Sequence, residues 1–190
     1  MANNLLLETI NGKKQSNTPV WMMRQAGRYL TEYRAIRAKQ KDFISFCLNP
    51  KQASAVTLQP IARYGFDAAI IFSDILMVPW ALEKNVRFKL NVGPLLDPLE
   101  FPQSIDQKLI NNLPKKLAPV AEAIRITKAN LSPETALIGF AGAPWTIMTY
   151  MAEGGTSRDF AKTRGWAWQY RKGMDALLDR LIESTICFLT

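Results

Sequence analysis

Apolar residues along the chain gather in three short unbroken runs with segments of helical spacing between them. Residues 19–23 (PVWMM), 67–73 (DAAIIFS) and 136–140 (ALIGF) are each too brief for a helix and are bounded by turn or polar residues, which predicts strands covered on both faces. Asn49 followed by Pro50 reads as an N-cap with proline in the first turn, so a helix is expected to about Tyr64, with Gly65 as its stop and a kink at Pro60. Residues 86–92 alternate as VRFKLNV, the pattern of an exposed antiparallel ribbon. Residues 115–130 have helical spacing, and Ser132-Pro133 then turns the chain into the third run. From about Gly165, residues Trp168, Met174, Leu177, Leu178, Leu181, Ile182, Ile186 and Leu189 recur as one helical face.

A strand, loop, helix order therefore repeats, and such alternation predicts a parallel sheet with helices outside it. The last helix runs to Thr190 with an apolar face and no capping residue, and three strands leave sheet edges open. The expectation is an α/β chain, one incomplete domain over residues 1–190, holding about the first half of a (β/α)8 TIM barrel.

Composition narrows the chemistry. At 190 residues and 48% hydrophobic the chain suits one domain with a real core, and no run approaches the ~18 apolar residues of a membrane span. The early cluster of Leu5, Leu6, Leu7 and Ile10 lacks the basic start and small-residue cleavage site of a secretion signal. Cys47 and Cys187 stand far apart without metal-knuckle spacing, which predicts a reduced, cytoplasmic protein. Histidine is absent, so this segment supplies no imidazole base, triad or His–zinc site, and its chemistry falls to carboxylates, Arg, Tyr or Ser.

The net charge of +8 is unevenly placed. Between residues 24 and 41 stand Arg24, Arg28, Arg34, Arg37, Lys39 and Lys41 against one acid, Glu32. The first four are arginines, whose planar fork matches a carboxylate or phosphate with two parallel bonds. A charge run is often only a solvated helix face; here Arg24 and Arg28 follow a predicted strand, with Ala26 and Gly27 leaving room for a large ligand. Asp74 closes the second predicted strand, where an aspartate commonly caps the next helix. Gly154 and Gly155 suggest a flexible loop, without a phosphate-binding glycine pattern.

The segment PVWMMRQAGRYLTEYR resembles the signature of the uroporphyrinogen decarboxylase family, and GFAGAPWTIMTYMAEGG, residues 139–155, resembles its second signature. FSDIL (72–76) and TLQP (57–60) are similar to further family segments, while Thr31 stands where the family usually has proline. The resemblance implies a cofactor-free TIM-barrel enzyme that converts the four acetates of uroporphyrinogen III to methyls, giving coproporphyrinogen III in haem biosynthesis. It implies a tetrapyrrole substrate, a homodimer, and no nucleic-acid or membrane partner. By the same resemblance Arg24, Gln25, Ala26, Gly27 and Arg28 form the substrate loop, and Arg37 contacts a substituent or assists protonation. Phe43 walls the cleft, Asp74 receives the pyrrole N–H groups as the catalytic carboxylate, and Tyr150 contacts substrate. Trp145, Trp166 and Trp168 are expected to pack, and a family serine and histidine have no counterpart in this sequence. Two rivals remain: a corrinoid- or thiol-dependent methyltransferase on the same barrel, and a nonenzymatic nucleic-acid or phosphate binder suggested by Trp21, Tyr29 and Tyr33 among the basic residues.

Overall fold

The computed structural model describes residues 4–23, 25–89 and 92–190. Its elements, in chain order, are helices α1 (Leu5–Ile10), α2 (Thr31–Arg37), α3 (Phe43–Cys47) and α4 (Pro50–Tyr64), strand β1 (Ala68–Ile70), helix α5 (Met77–Ala81) and strands β2 (Arg87–Lys89) and β3 (Gly93–Leu95). Helices α6 (Gln107–Asn111) and α7 (Leu113–Asn130), strand β4 (Ala136–Ile138), and helices α8 (Pro144–Glu153), α9 (Ala161–Gln169) and α10 (Arg171–Leu189) complete it. The chain divides into two compact units, one of residues 1–73 with 119–140, the other of residues 74–118 with 141–190.

In the first unit β1 and β4 lie parallel in register, with Ala68 opposite Ala136 and Ile70 opposite Ile138. Helix α4 begins and ends where local chemistry dictates. The Asn49 side chain accepts from Gln52 N at 3.2 Å, and Gly65 closes the helix at φ 64°, a left-handed conformation that costs a glycine little. Inside this helix the Thr57 hydroxyl donates to Ala53 O at 2.7 Å and accepts from Phe72 N at 2.9 Å, tying the helix to the chain just past β1. Two buried clusters stand out in this unit. Ala53, Ile71 and Ala123 form one; Leu30, Tyr33, Phe46 and Val56 form the other, and Phe72 packs against both. The rings of Phe46 and Phe72 lie 4.6 Å apart, and Tyr33 meets Phe72 edge-on at 5.9 Å.

The expected strand over residues 19–23 is absent. Only Val20 is tied to β1's approach: Asp67 N donates to Val20 O at 2.9 Å, and Val20 N donates to the Asp67 carboxylate at 2.6 Å. Val20 and Met23, expected to be buried, are 52% and 74% exposed. The reason is on β1 itself, whose edge facing away from β4 is already occupied by a side chain, described below.

In the second unit β2 and β3 form an antiparallel ribbon, with Arg87 opposite Leu95; of the ribbon expected over residues 86–92, β2 is one strand, residues 90 and 91 lie outside the described residues, and the second strand follows at 93–95. The chain leaving β3 runs along the end of α8, with Leu96 N donating to Gly154 O at 2.9 Å and Leu99 N to Met151 O at 2.8 Å. Gly154 stands at φ 80°, and a Cβ there would lie 3.1 Å from Leu96 O, so both conformation and space demand glycine. Ile147, Met148 and Met151 of α8 and Met174, Leu177 and Leu181 of α10 are buried. The single C-terminal helix expected from periodicity is two: the chain breaks at Tyr170 between α9 and α10. Trp166 packs as expected, but Trp145 is half exposed and Trp168 is 90% exposed, so neither is a core residue. Among the described residues, no helix is long and apolar enough to cross a membrane.

Candidate functional site

The site residues expected from sequence fall into both units. Arg24 lies outside the described residues. The loop that follows it is held by a local frame of hydrogen bonds in the first unit. Gln25, 1% exposed, donates from Nε2 to Ala68 O at 2.7 Å and accepts at Oε1 from Ile70 N at 3.0 Å. Its amide is thus engaged with β1. The Tyr29 hydroxyl donates to Gln25 O, and Leu30 N donates to Gly27 O at 3.0 Å. A Cβ on Gly27 would meet the Tyr29 ring at 3.3 Å, so the ring lies close over the loop's backbone. Ala26, half-buried, packs on the cluster built from Leu30, Tyr33, Phe46 and Val56.

Arg34 completes the frame. Its guanidinium donates to Arg28 O at 2.7 Å and to the Thr31 hydroxyl at 3.1 Å, so it braces the loop carbonyl rather than standing free. Arg28 is exposed, and Arg37 is partly buried with one bond to Gln40 O at 3.4 Å. Neither forms an ion pair among the described residues. Both act on Tyr33: burial raises its hydroxyl pKa, and the nearby Arg37 and Arg28 charges work in the opposite direction. The charges of Arg28 and Arg37 are thus both felt at the Tyr33 hydroxyl. Phe43, the first residue of α3, meets Phe72 edge-on at 5.6 Å and so contributes to packing in this unit.

Asp74 opens the second unit. One carboxylate oxygen accepts from Leu76 N at 2.8 Å, an Asx turn just before α5, whose first residues do not use it as a true cap. Among the described residues no other donor or cation meets this carboxylate. Burial raises its pKa, opposed only by the Leu76 bond. A carboxylate withdrawn from water with unfilled acceptor capacity is suited to a ligand that brings its own donors. In the same unit a Cβ on Gly142 would lie 3.0 Å from Ile75 Cβ and 3.2 Å from Ile75 O, so the segment entering α8 touches the backbone beside Asp74. Tyr150 sits half-buried on α8, one turn before Gly154, whose N–H its carbonyl accepts at 2.9 Å.

Sequence reading did not single out Asp67, Thr57, Gly142 or the bracing role of Arg34. Gly142 carried a signal in its place, just before the Ala143-Pro144 helix start. The others show none locally, since their partners lie elsewhere in the chain or depend on a loop's final shape.

The family model for uroporphyrinogen decarboxylase matches residues 1–190. Curated proteins named uroporphyrinogen decarboxylase are similar throughout: that of Rhodospirillum rubrum is 48% identical over 96% of this chain, and that of Maricaulis maris 46% over 97%. The one from Chelativorans sp. is 47% identical over 100% of this chain. The chain spans about half the length of these relatives, 53 to 55% of each. Among solved structures, a methyltransferase from Methanosarcina mazei superposes with a TM-score of 0.72 at 16% identity, covering 99% of this chain and 55% of that one. That likeness shows the fold alone, and with the parallel β1–β4 pair it establishes an α/β fold of the TIM-barrel type. By the match along its whole length, the chain belongs to the uroporphyrinogen decarboxylase family.

Proposed function

We propose that the protein decarboxylates the four acetate side chains of uroporphyrinogen III to give coproporphyrinogen III, with Arg24, Arg28 and Arg37 receiving the substrate's carboxylates and Asp74 facing its pyrrole N–H groups. The observation that carries this reading is the carboxylate of Asp74, withdrawn from water and met, among the described residues, by one backbone donor and no cation. Four pyrrole N–H groups offer the donors that such a carboxylate lacks. The reaction needs no cofactor because the ring is its own electron sink. A proton added to the pyrrole carbon beside the acetate makes the ring cationic. The C–C bond then breaks, releasing carbon dioxide while its electron pair neutralises the ring and leaves an exocyclic methylene. A second proton converts that methylene to methyl, and loss of the first restores the pyrrole. Asp74 stabilises the cationic ring, its value greatest where water is excluded.

Gln25, Ala26 and Gly27 enter this reading as the loop's frame, and Tyr150 as a hydroxyl donor to a substrate carboxylate. The buried Cys47 thiol and unpaired Cys187 suit a reducing cytoplasm, and a homodimer is the expected assembly. Turnover of uroporphyrinogen, followed by product fluorescence after oxidation, tests the assignment in the protein as encoded. Asp74→Asn should lower kcat by about 10² to 10³-fold, and Arg28→Ala should raise KM by roughly tenfold or more. Equal rates for wild type and both variants would remove the basis for these roles.

A further inference from the structure

The amide of Gln25 occupies a place in the sheet that main chain normally takes. Successive residues of a strand present their N–H and C=O groups to alternate edges. On β1's approach and exit, Asp67 O accepts from Ala136 N at 2.9 Å and Ile71 N donates to Ile138 O at 3.0 Å, so the Asp67 carbonyl and the Ile71 amide face β4. Ala68 and Ile70 face the opposite edge. There Gln25 accepts from Ile70 N at 3.0 Å and donates to Ala68 O at 2.7 Å, the same donor–acceptor pair a neighbouring parallel strand would supply. An amide is the side chain suited to this, having one acceptor oxygen and one donor nitrogen on a planar group.

We infer that Gln25 is a positioning residue: its side chain stands in for a strand on the free edge of β1 and thereby fixes the arginine-bearing loop before substrate arrives. This rests on the reading above, in which Arg28 grips a substrate carboxylate. The frame is continuous from the strand to that arginine. Gln25 Nε2 and Oε1 hold β1, Tyr29 holds the Gln25 carbonyl, and Arg34 holds the Arg28 carbonyl. With its amide bonded to β1 at both ends and the residue 1% exposed, Gln25 is turned to the strand rather than to solvent. Its contribution is a loop that is already ordered, so that binding is not taxed by ordering it.

Gln25→Leu keeps the bulk and removes both bonds. In the unliganded protein, the Ile70 amide should then exchange with solvent hydrogen about tenfold faster or more, a readout that a pure substrate contact would not move. KM should rise about tenfold while kcat stays within about threefold, since a grip shared by substrate and transition state is what is lost. Gln25→Glu guards against a variant that fails to fold. A protonated carboxyl can reproduce both bonds, whereas its ionised form cannot donate to Ala68 O. Its KM should therefore approach the wild-type value as pH falls toward about 5 and depart from it as pH rises toward about 8. An unchanged Ile70 exchange rate in Gln25→Leu, or an unchanged KM in both variants, would overturn the inference. Arg28→Ala separates the two readings: if it leaves KM unaltered while Ile70 exchange still responds to Gln25→Leu, the strand mimicry stands and the arginine grip falls.

Discussion

At the scale of single residues, Asp74 carries a stability cost that its proposed role explains. Burial raises its folded-state pKa above the unfolded value, so its favourable contribution is complete only below the unfolded pKa and is lost as pH rises through the folded one. Asp74→Asn keeps an acceptor for Leu76 N and removes the charge. It should unfold at a higher temperature than wild type near pH 7, with the gap closing as pH falls to about 4, even while activity collapses. Thermal melts across that range check the sign; a variant less stable at neutral pH would contradict it. Gly142 is a different kind of requirement, of space rather than charge. With Ile75 Cβ and Ile147 Cγ1 both 3.0 Å from where a methyl would sit, Gly142→Ala should cost about 1–3 kcal/mol and lower kcat through the displaced neighbour of Asp74. Denaturant unfolding measures the first effect and single-turnover rates the second.

At the scale of elements, Thr31 opens α2 after Leu30, whose backbone is extended at φ −85° and ψ 126°. That is the conformation a residue before proline prefers, and proline is well accommodated in a helix's first turn. Thr31→Pro should therefore raise stability by about 0.4–1 kcal/mol, less whatever the Arg34 bond to the Thr31 hydroxyl contributes, as a shift in denaturant midpoint would report. Elements bounded by such local chemistry were legible in the sequence. Asn49, Pro50 and Gly65 delimit α4 at the expected residues, and the alternation around Phe88 announced the ribbon. Elements decided by distant partners were not. Residues 19–23 have a strand's composition, yet the edge they would need on β1 is filled by Gln25. Apolar spacing runs on through Tyr170, so nothing periodic marked the break between α9 and α10, nor the outward turn of Trp168. The candidate site divides the same way: Arg28 and Asp74 stood out in the sequence by residue type, whereas the bonds that tie the loop before Arg28 to β1 link residues more than forty positions apart.

At the scale of the whole molecule, the net charge of +8 is carried mostly by the first unit, around the arginine loop. A substrate bearing eight carboxylates should be drawn there at long range, and salt screens such attraction over about 8–10 Å at physiological strength. KM for uroporphyrinogen should rise several-fold between about 50 and 500 mM salt while kcat changes little. Oligonucleotides at matched ionic strength should compete weakly; strong competition would favour the nucleic-acid reading of the same charge.

The parallel partner of β1 comes from residues 136–138, so on the ribosome the residues of β1 emerge well before β4 exists. Gln25 has been made by then, and its amide can shield Ala68 and Ile70 as soon as they appear. One side chain thus occupies one of the two edges of β1, the one turned away from β4, and leaves fewer open backbone groups there for another chain to pair with.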